Sequence, residues 1–188
     1  MKRIMIAALA AVGLLAATPG IANATDDPGT ASTVEEGTAS AGTPGFVSAA
    51  DEPSVVNYAD EWDTFSTHPY EKGYGYVGYA ESTSGGVSQQ VGMYRKDNYV
   101  SLWGDISDKK TDGYCAGAEI RYQVYNGSTW SGYHYRMIPH HDCATDGASV
   151  WNAWYYSRPK VRNVSSRACH VNSSGAKIEC EKNWHGPI

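Results

Sequence analysis

The chain has 188 residues, 41% hydrophobic and 19% charged, and its 15 Lys and Arg against 20 Asp and Glu give a formal net charge of −5. It carries 14 Tyr and 6 Trp beside 2 Phe, while Leu occurs only at Leu9, Leu14, Leu15 and Leu102. Helical bundles and doubly wound α/β folds need Leu-type residues repeating along helix faces, so a chain poor in Leu and rich in Tyr, Trp, Val, Thr and Gly argues against both and points to strands.

The first element is a leader. Lys2 and Arg3 precede an apolar run from Ile4 to Ala17, and Ala22-Asn23-Ala24 has the small-residue pattern of a cleavage site, which reads as a secretory signal peptide over 1–24. The run is shorter than the roughly 18 residues of a spanning helix, and no other stretch is long and apolar enough, so no membrane span is expected. The first cysteine is Cys115, too far along to carry a lipid at the cleavage point. A secreted, extracellular chain beginning near Thr25 is the expectation. Loss of Lys2 and Arg3 leaves 13 basic against 20 acidic residues, and nine of the acids lie between 25 and 66 without any Lys or Arg. The remainder is close to neutral and has no broad basic surface, so nucleic acid is not an expected partner.

Residues 25–54 are Gly, Ala, Ser, Thr, Pro and acid, with GTAS twice and Phe46 as the single large anchor. Such a segment buries too little apolar surface to offset its ordering entropy and reads as a disordered acidic arm. A cleavable pro-segment is the alternative. From 55 to 188 the text becomes short alternating runs. GYGYVGYA places Tyr74 and Tyr76 on one face, and VSQQVGMYR places Val87, Val91 and Met93 on one face. NYVSLWGDIS sets Val100, Leu102, Gly104 and Ile106 against Tyr99 and Trp103, so both of its faces are partly covered. Further runs follow, separated by Gly, Asn, Ser and Pro. Seven to nine such strands predict an all-β, antiparallel β-sandwich of jelly-roll or Greek-key kind.

Four cysteines in an exported chain imply two disulfides. Folding the end of the chain about Ser174-Gly175 sets Cys169 opposite Cys180, His170 opposite Glu179 and Val171 opposite Ile178. Folding the earlier segment about Thr129 sets Cys115 opposite Cys143 and Ile120 opposite Ile138, with Pro139 interrupting the ladder. The expected bridges are therefore Cys115 to Cys143 and Cys169 to Cys180, each removing unfolded-state entropy on the order of 3 kcal/mol.

The chemical motifs are weaker. Asp108, Asp112, Gly113 and Glu119 fall at calcium-loop spacing, but Lys110 occupies a ligand position, and a turn at Asp112-Gly113 is the better reading. His140 and His141 are adjacent and would point to opposite faces of a strand, so they do not chelate one ion together. No nucleophile elbow, zinc-protease or phosphate-loop signature occurs, and no metal, cofactor or catalytic residue is assigned. Arg158, Lys160 and Arg162 alternate as a cationic row on one expected strand.

The Tyr and Trp excess is the most informative feature. Trp62, Trp130 and Trp184 stand in loop or tail contexts and are the expected exposed ligand-binding residues, because an aromatic face with a polar edge suits a sugar ring or a partner protein. From Val100 to Cys180, the pieces GDISDKKTDGYCA and RACHVNSSGAKIEC resemble a pattern in small exported actinobacterial proteins of largely uncharacterised function. That resemblance implies export, disulfides and a β-sandwich, and carries no catalytic residue. The leading expectation is a secreted, non-enzymatic binding protein for a carbohydrate or cell-surface polymer. Its alternatives are a protein-binding module or hydrolase inhibitor presenting loop 126–132, and a secreted hydrolase.

Overall fold

The computed structural model describes residues 45–52, 61–147, 151 and 153–186. The expected leader and residues 25–44 of the arm lie outside them. Among the described residues there are ten strands: β1 (Phe46–Ser48), β2 (Trp62–Phe65), β3 (Gly75–Ser84), β4 (Val87–Lys96), β5 (Tyr99–Asp108), β6 (Cys115–Tyr125), β7 (Trp130–Asp142), β8 (Trp154–Ser157), β9 (Val161–Val171) and β10 (Lys177–Glu181). They form two five-stranded antiparallel sheets, one ordered β1-β10-β9-β6-β7 and the other β2-β8-β5-β4-β3. The fold is the expected antiparallel sandwich, with both expected disulfides, Cys115–Cys143 and Cys169–Cys180. No helix among the described residues is long and apolar enough to cross a membrane.

Local chemistry builds the second sheet. Two-residue turns at Gly85-Gly86 and Asp97-Asn98 join β3 to β4 and β4 to β5; Gly85, Gly86 and Asp97 all have positive φ, which matches the twist of tight hairpins. The alternation then delivers Val87, Val91 and Met93 of β4 and Val100, Leu102 and Ile106 of β5 to the interior, each no more than 2% exposed. Ala116, Ala118, Ile120 and Tyr122 of β6 meet them from the first sheet. A polar bridge also crosses the core: the buried Gln89 amide donates to Ser82 Oγ at 3.2 Å and its oxygen accepts from Ser166 Oγ of β9 at 3.0 Å.

Two register details differ from simple hairpin folding. Ile120 faces Arg136 rather than Ile138, because Ile138, Pro139 and His140 bulge opposite Ala118; Pro139 has no N–H to give the ladder. Val171 faces Lys177 rather than Ile178. The Cys169–Cys180 and His170–Glu179 pairs keep the expected register. The arm also ends earlier than its composition implies: β1 pairs with β10, and Phe46, 7% exposed, stacks on buried His170 at 4.8 Å. One aromatic anchor and a strand ladder are enough to place residues 46–48 in the sheet.

The outward side of the first sheet carries a buried charge cluster. Arg167 of β9 donates through Nε and Nη2 to Glu119 Oε2 at 2.9 and 2.5 Å, through Nη1 to the Glu181 carbonyl at 3.1 Å, and through Nη2 to Glu52. Lys177 Nζ reaches Glu52 Oε2 at 2.9 Å and Glu119 Oε1 at 3.0 Å. Two cations meet two carboxylates, and the tail residue Trp184 closes the cluster with its ring centroid 4.2 Å from the Arg167 guanidinium. Removing one member of such a cluster leaves an uncompensated buried charge, a loss of about 3–5 kcal/mol.

Burial opposes ionisation of Glu52, but its hydrogen bonds and attraction to Arg167 and Lys177 outweigh that and hold its pKa below the ordinary 4.5. A lowered folded pKa contributes stability that is present above the unfolded value and lost as pH falls through the folded one. Glu52→Gln should therefore lower the denaturant midpoint at neutral pH and flatten the fall in stability as pH drops below about 4.5; an acid limb identical to the parent's would refute this. In the core, a Cβ at Gly104 would lie 1.9 Å from the Gln90 carbonyl oxygen. Gly104→Ala should accordingly destabilise by about 1–3 kcal/mol, read as a shift in the same midpoint.

Candidate functional site: an aromatic trough on the second sheet

The outward positions of β3, β4 and β5 alternate with the core positions and share one face. Their cross-strand pairing sets three rows. Tyr79, Gly92 and Trp103 form the central row, with Glu81, Gln90 and Asp105 on one side of it and Tyr76 and Tyr94 on the other. Tyr76 and Tyr79 are three positions apart, and strict alternation would put them on opposite faces. A bulge at Val77 resolves this: Tyr76 pairs with Tyr94, Gly78 pairs with Met93, and Val77 has no partner. Gly78 takes φ 143° there, a conformation glycine adopts without steric cost.

The central row makes a hollow of about 420 Å³, lined by Tyr70, Tyr76, Tyr79, Tyr94, Trp103 and the bare backbone of Gly92, with Gln90 at its end. A Cβ at Gly92 would lie 3.3 Å from the Trp103 carbonyl oxygen and within 4.0 Å of the Tyr76 and Tyr94 rings, so the absent side chain is what leaves the space. Tyr70, Tyr76 and Tyr79 are 58%, 48% and 53% exposed. Behind them the rings brace each other: Trp103 stacks on Trp154 of β8 at 5.5 Å, Tyr94 meets Trp154 edge-on at 5.5 Å, and Tyr76 lies 5.2 Å from Tyr94. A short 3-10 turn at Pro69–Lys72 brings Tyr70 against Tyr94, held by the Tyr70 N–H donating to His68 Nδ1 at 3.2 Å. The result is a set of preoriented ring faces with little rotamer freedom to lose on binding.

Two further hollows lie on the same face. One, about 470 Å³, is polar and lined by Glu81, Ser82, Thr83, Ser88, Gln90 and Asp105, with Lys109 at its edge. The other, about 680 Å³, has Phe65, Tyr74, Tyr99 and Tyr156 as its aromatic lining and Lys72, Lys96 and Arg158 at its rim. Burial, followed by the neighbouring phenols Tyr70 and Tyr76, raises the pKa of Tyr94; burial and the neighbours Tyr156 and Tyr99 do the same for Tyr74. Both hydroxyls thus stay protonated through the neutral range, as hydrogen-bonding groups without charge.

The three tryptophans expected to bind ligand stand elsewhere. Trp62 is corrected outright as an exposed residue: it is 4% exposed, edge-on to Tyr122 at 5.2 Å in the core. Trp130 is half-buried beneath Arg162 at 4.5 Å and beside Tyr125 at 5.3 Å. Trp184 is half-buried on Arg167 and 4.7 Å from Arg121. The structure does not bring these three rings together. The hairpin tip 126–129 is set by Asn126 Oδ1, which accepts from the Ser128 and Thr129 N–H groups, while the Cys115–Cys143 bridge sits at the far end of that hairpin. Nor do the three cations form one row. Arg158 follows β8 and pairs with Asp63 at 2.8 Å, Lys160 precedes β9, and Arg162 covers Trp130.

Three histidines are turned toward carboxylates. His134 with Glu61, His170 with Glu179 and His185 with Glu181 form three pairs at 3.0, 2.9 and 2.9 Å. Asp112-Gly113 is the expected turn, closed by the Tyr114 N–H donating to Asp112 Oδ1. Among the described residues Glu119, Cys169 and Cys180 lie at ligand spacing, but both sulfurs are consumed in the disulfide and offer no thiolate.

Comparison with family models, with curated proteins and with solved structures finds no match to this chain. Tyr70, Tyr76 and Tyr79 should be the tyrosines most rapidly nitrated in the folded protein, ahead of buried Tyr122 and Tyr155. Peptide mass mapping after limited tetranitromethane treatment checks this, and preferential labelling of Tyr122 or Tyr155 would refute the described face.

Proposed function

We propose that the chain is an exported, non-enzymatic glycan-binding protein whose site is the outward face of β3, β4 and β5. The observation that carries this reading is the central hollow, whose apolar lining is entirely aromatic, without one aliphatic side chain. The C–H face of a pyranose ring packs on an aromatic face, while its equatorial hydroxyls need polar groups at the edge of the ring. Tyr79 and Trp103 flank Gly92 to provide the first, and the adjoining row of Glu81, Gln90 and Asp105 provides the second. Two disulfides accord with an oxidising, extracellular setting.

The test is affinity electrophoresis and pull-down on cellulose, xylan, chitin and peptidoglycan. At least one should retain the protein, and Tyr79→Ala or Trp103→Ala should weaken that retention about tenfold with the melting temperature of Tyr79→Ala little changed. Trp130→Ala serves as the contrast and should bind like the parent. Undiminished binding by both trough variants would end this assignment, and a loss confined to Trp130→Ala would move the site to the β6–β7 hairpin.

A further inference from the structure

Resting on the glycan-binding reading, we infer that the ligand is an internal stretch of an uncharged linear polysaccharide lying along β4, rather than a single sugar or a chain end. The three hollows follow the outward residues of this strand in order. Lys96 borders the largest, Tyr94 and Gly92 belong to the central one, and Ser88 lines the polar one. Gln90 lines both the central and the polar hollow, so these two adjoin along the strand. From Ser88 to Lys96 the strand advances eight residues, about 27 Å at roughly 3.4 Å per residue. A single sugar ring fills only one hollow, whereas an extended chain reaches all three.

The ends differ in chemistry, which orders the contacts along such a chain. At the centre, rings stack between Tyr79 and Trp103. At the polar end, Gln90 Nε2 donates to Glu81 Oε2 at 3.2 Å, and Glu81 and Asp105 flank it across the sheet, about 10 Å apart by strand spacing. These groups suit a series of hydroxyls. At the other end Phe65, Tyr74, Tyr99 and Tyr156 offer a second aromatic floor.

Charge identifies the polymer as uncharged. Lys72, Lys96 and Lys109 stand against Asp97, Glu81 and Asp105 along the trough, and Arg158 is paired with Asp63. The central hollow holds no charged side chain. A polyanion running the full length meets as much repulsion as attraction, while a neutral chain meets neither and keeps every hydrogen bond.

Titration calorimetry with cello-, xylo- and chito-oligosaccharides, from the disaccharide to the hexasaccharide, tests the inference. Affinity in at least one series should climb with length by about tenfold or more. Tyr99→Ala and Glu81→Gln alter opposite ends of the trough; each should weaken the hexasaccharide about fivefold and leave the disaccharide within about twofold. If the disaccharide binds as tightly as the hexasaccharide while Tyr79→Ala still abolishes both, the extended-chain inference is overturned and glycan binding stands. Tighter binding of polygalacturonate than of any neutral series overturns the uncharged assignment. If neither the oligosaccharides nor their insoluble parents bind, both this inference and the reading beneath it fall.

Discussion

The Arg167 guanidinium is the group on which the arrangement of the whole sandwich turns. It is 2% exposed, and a buried cation is tolerated only when its charge and its hydrogen bonds are met. Meeting them requires Glu119 from β6, Glu52 from the segment after β1, Lys177 from β10 to balance the second carboxylate, and the ring of Trp184 above. These groups come from as far as 115 residues before the arginine and 17 residues after it in the chain. The cluster therefore fastens both the entering and the leaving segments to the outward side of one sheet.

That fastening makes the two outer faces unequal. On the first sheet the tail, the Cys169–Cys180 bridge and the cation-ring contacts of Arg121 and Arg167 cover much of the outward surface. On the second sheet the rings of Trp154, Trp103 and Tyr94 support one another, and the exposed tyrosines stand at their edge. The scarcity of Leu and the abundance of Tyr and Trp take on two meanings here. Inside, Tyr122 and Tyr155 replace aliphatic bulk. Outside, the same residue types form a surface that is apolar in its faces and wettable at its edges, which a carpet of Leu would not be. Tyrosine serves both settings because its hydroxyl is either paired, as Tyr122 is to Glu61 at 2.7 Å, or left toward water.

Much of the fold was legible because it is local. Strand alternation has a period of two, so Val91 and Leu102 could be assigned to the core and Trp103 to the opposite face from short windows alone. Hairpin symmetry about Ser174-Gly175 brought Cys169 to Cys180, and the turn at Thr129 brought Cys115 to Cys143. The errors also have local causes of a different kind: bulges at Ile138–His140 and at Ile178 insert residues that the folding axis does not count.

The candidate site was legible only in part. Sequence by itself determined the antiparallel sandwich, the bridges, the turn at Asp112-Gly113 and the presence of more aromatic rings than a core needs, though it counted seven to nine strands where the described residues form ten. Only the tertiary structure decided which rings are covered: Trp62 is enclosed by the opposing sheet, Trp184 by arginines from β6 and β9, and Trp130 by Arg162. It likewise decided that Tyr76 and Tyr79 share a face, since one unpaired residue, Val77, reverses the alternation between them. Which face a residue occupies follows from its immediate neighbours along the strand, but whether that face meets water depends on segments far away in the chain, and a linear pattern carries no record of them.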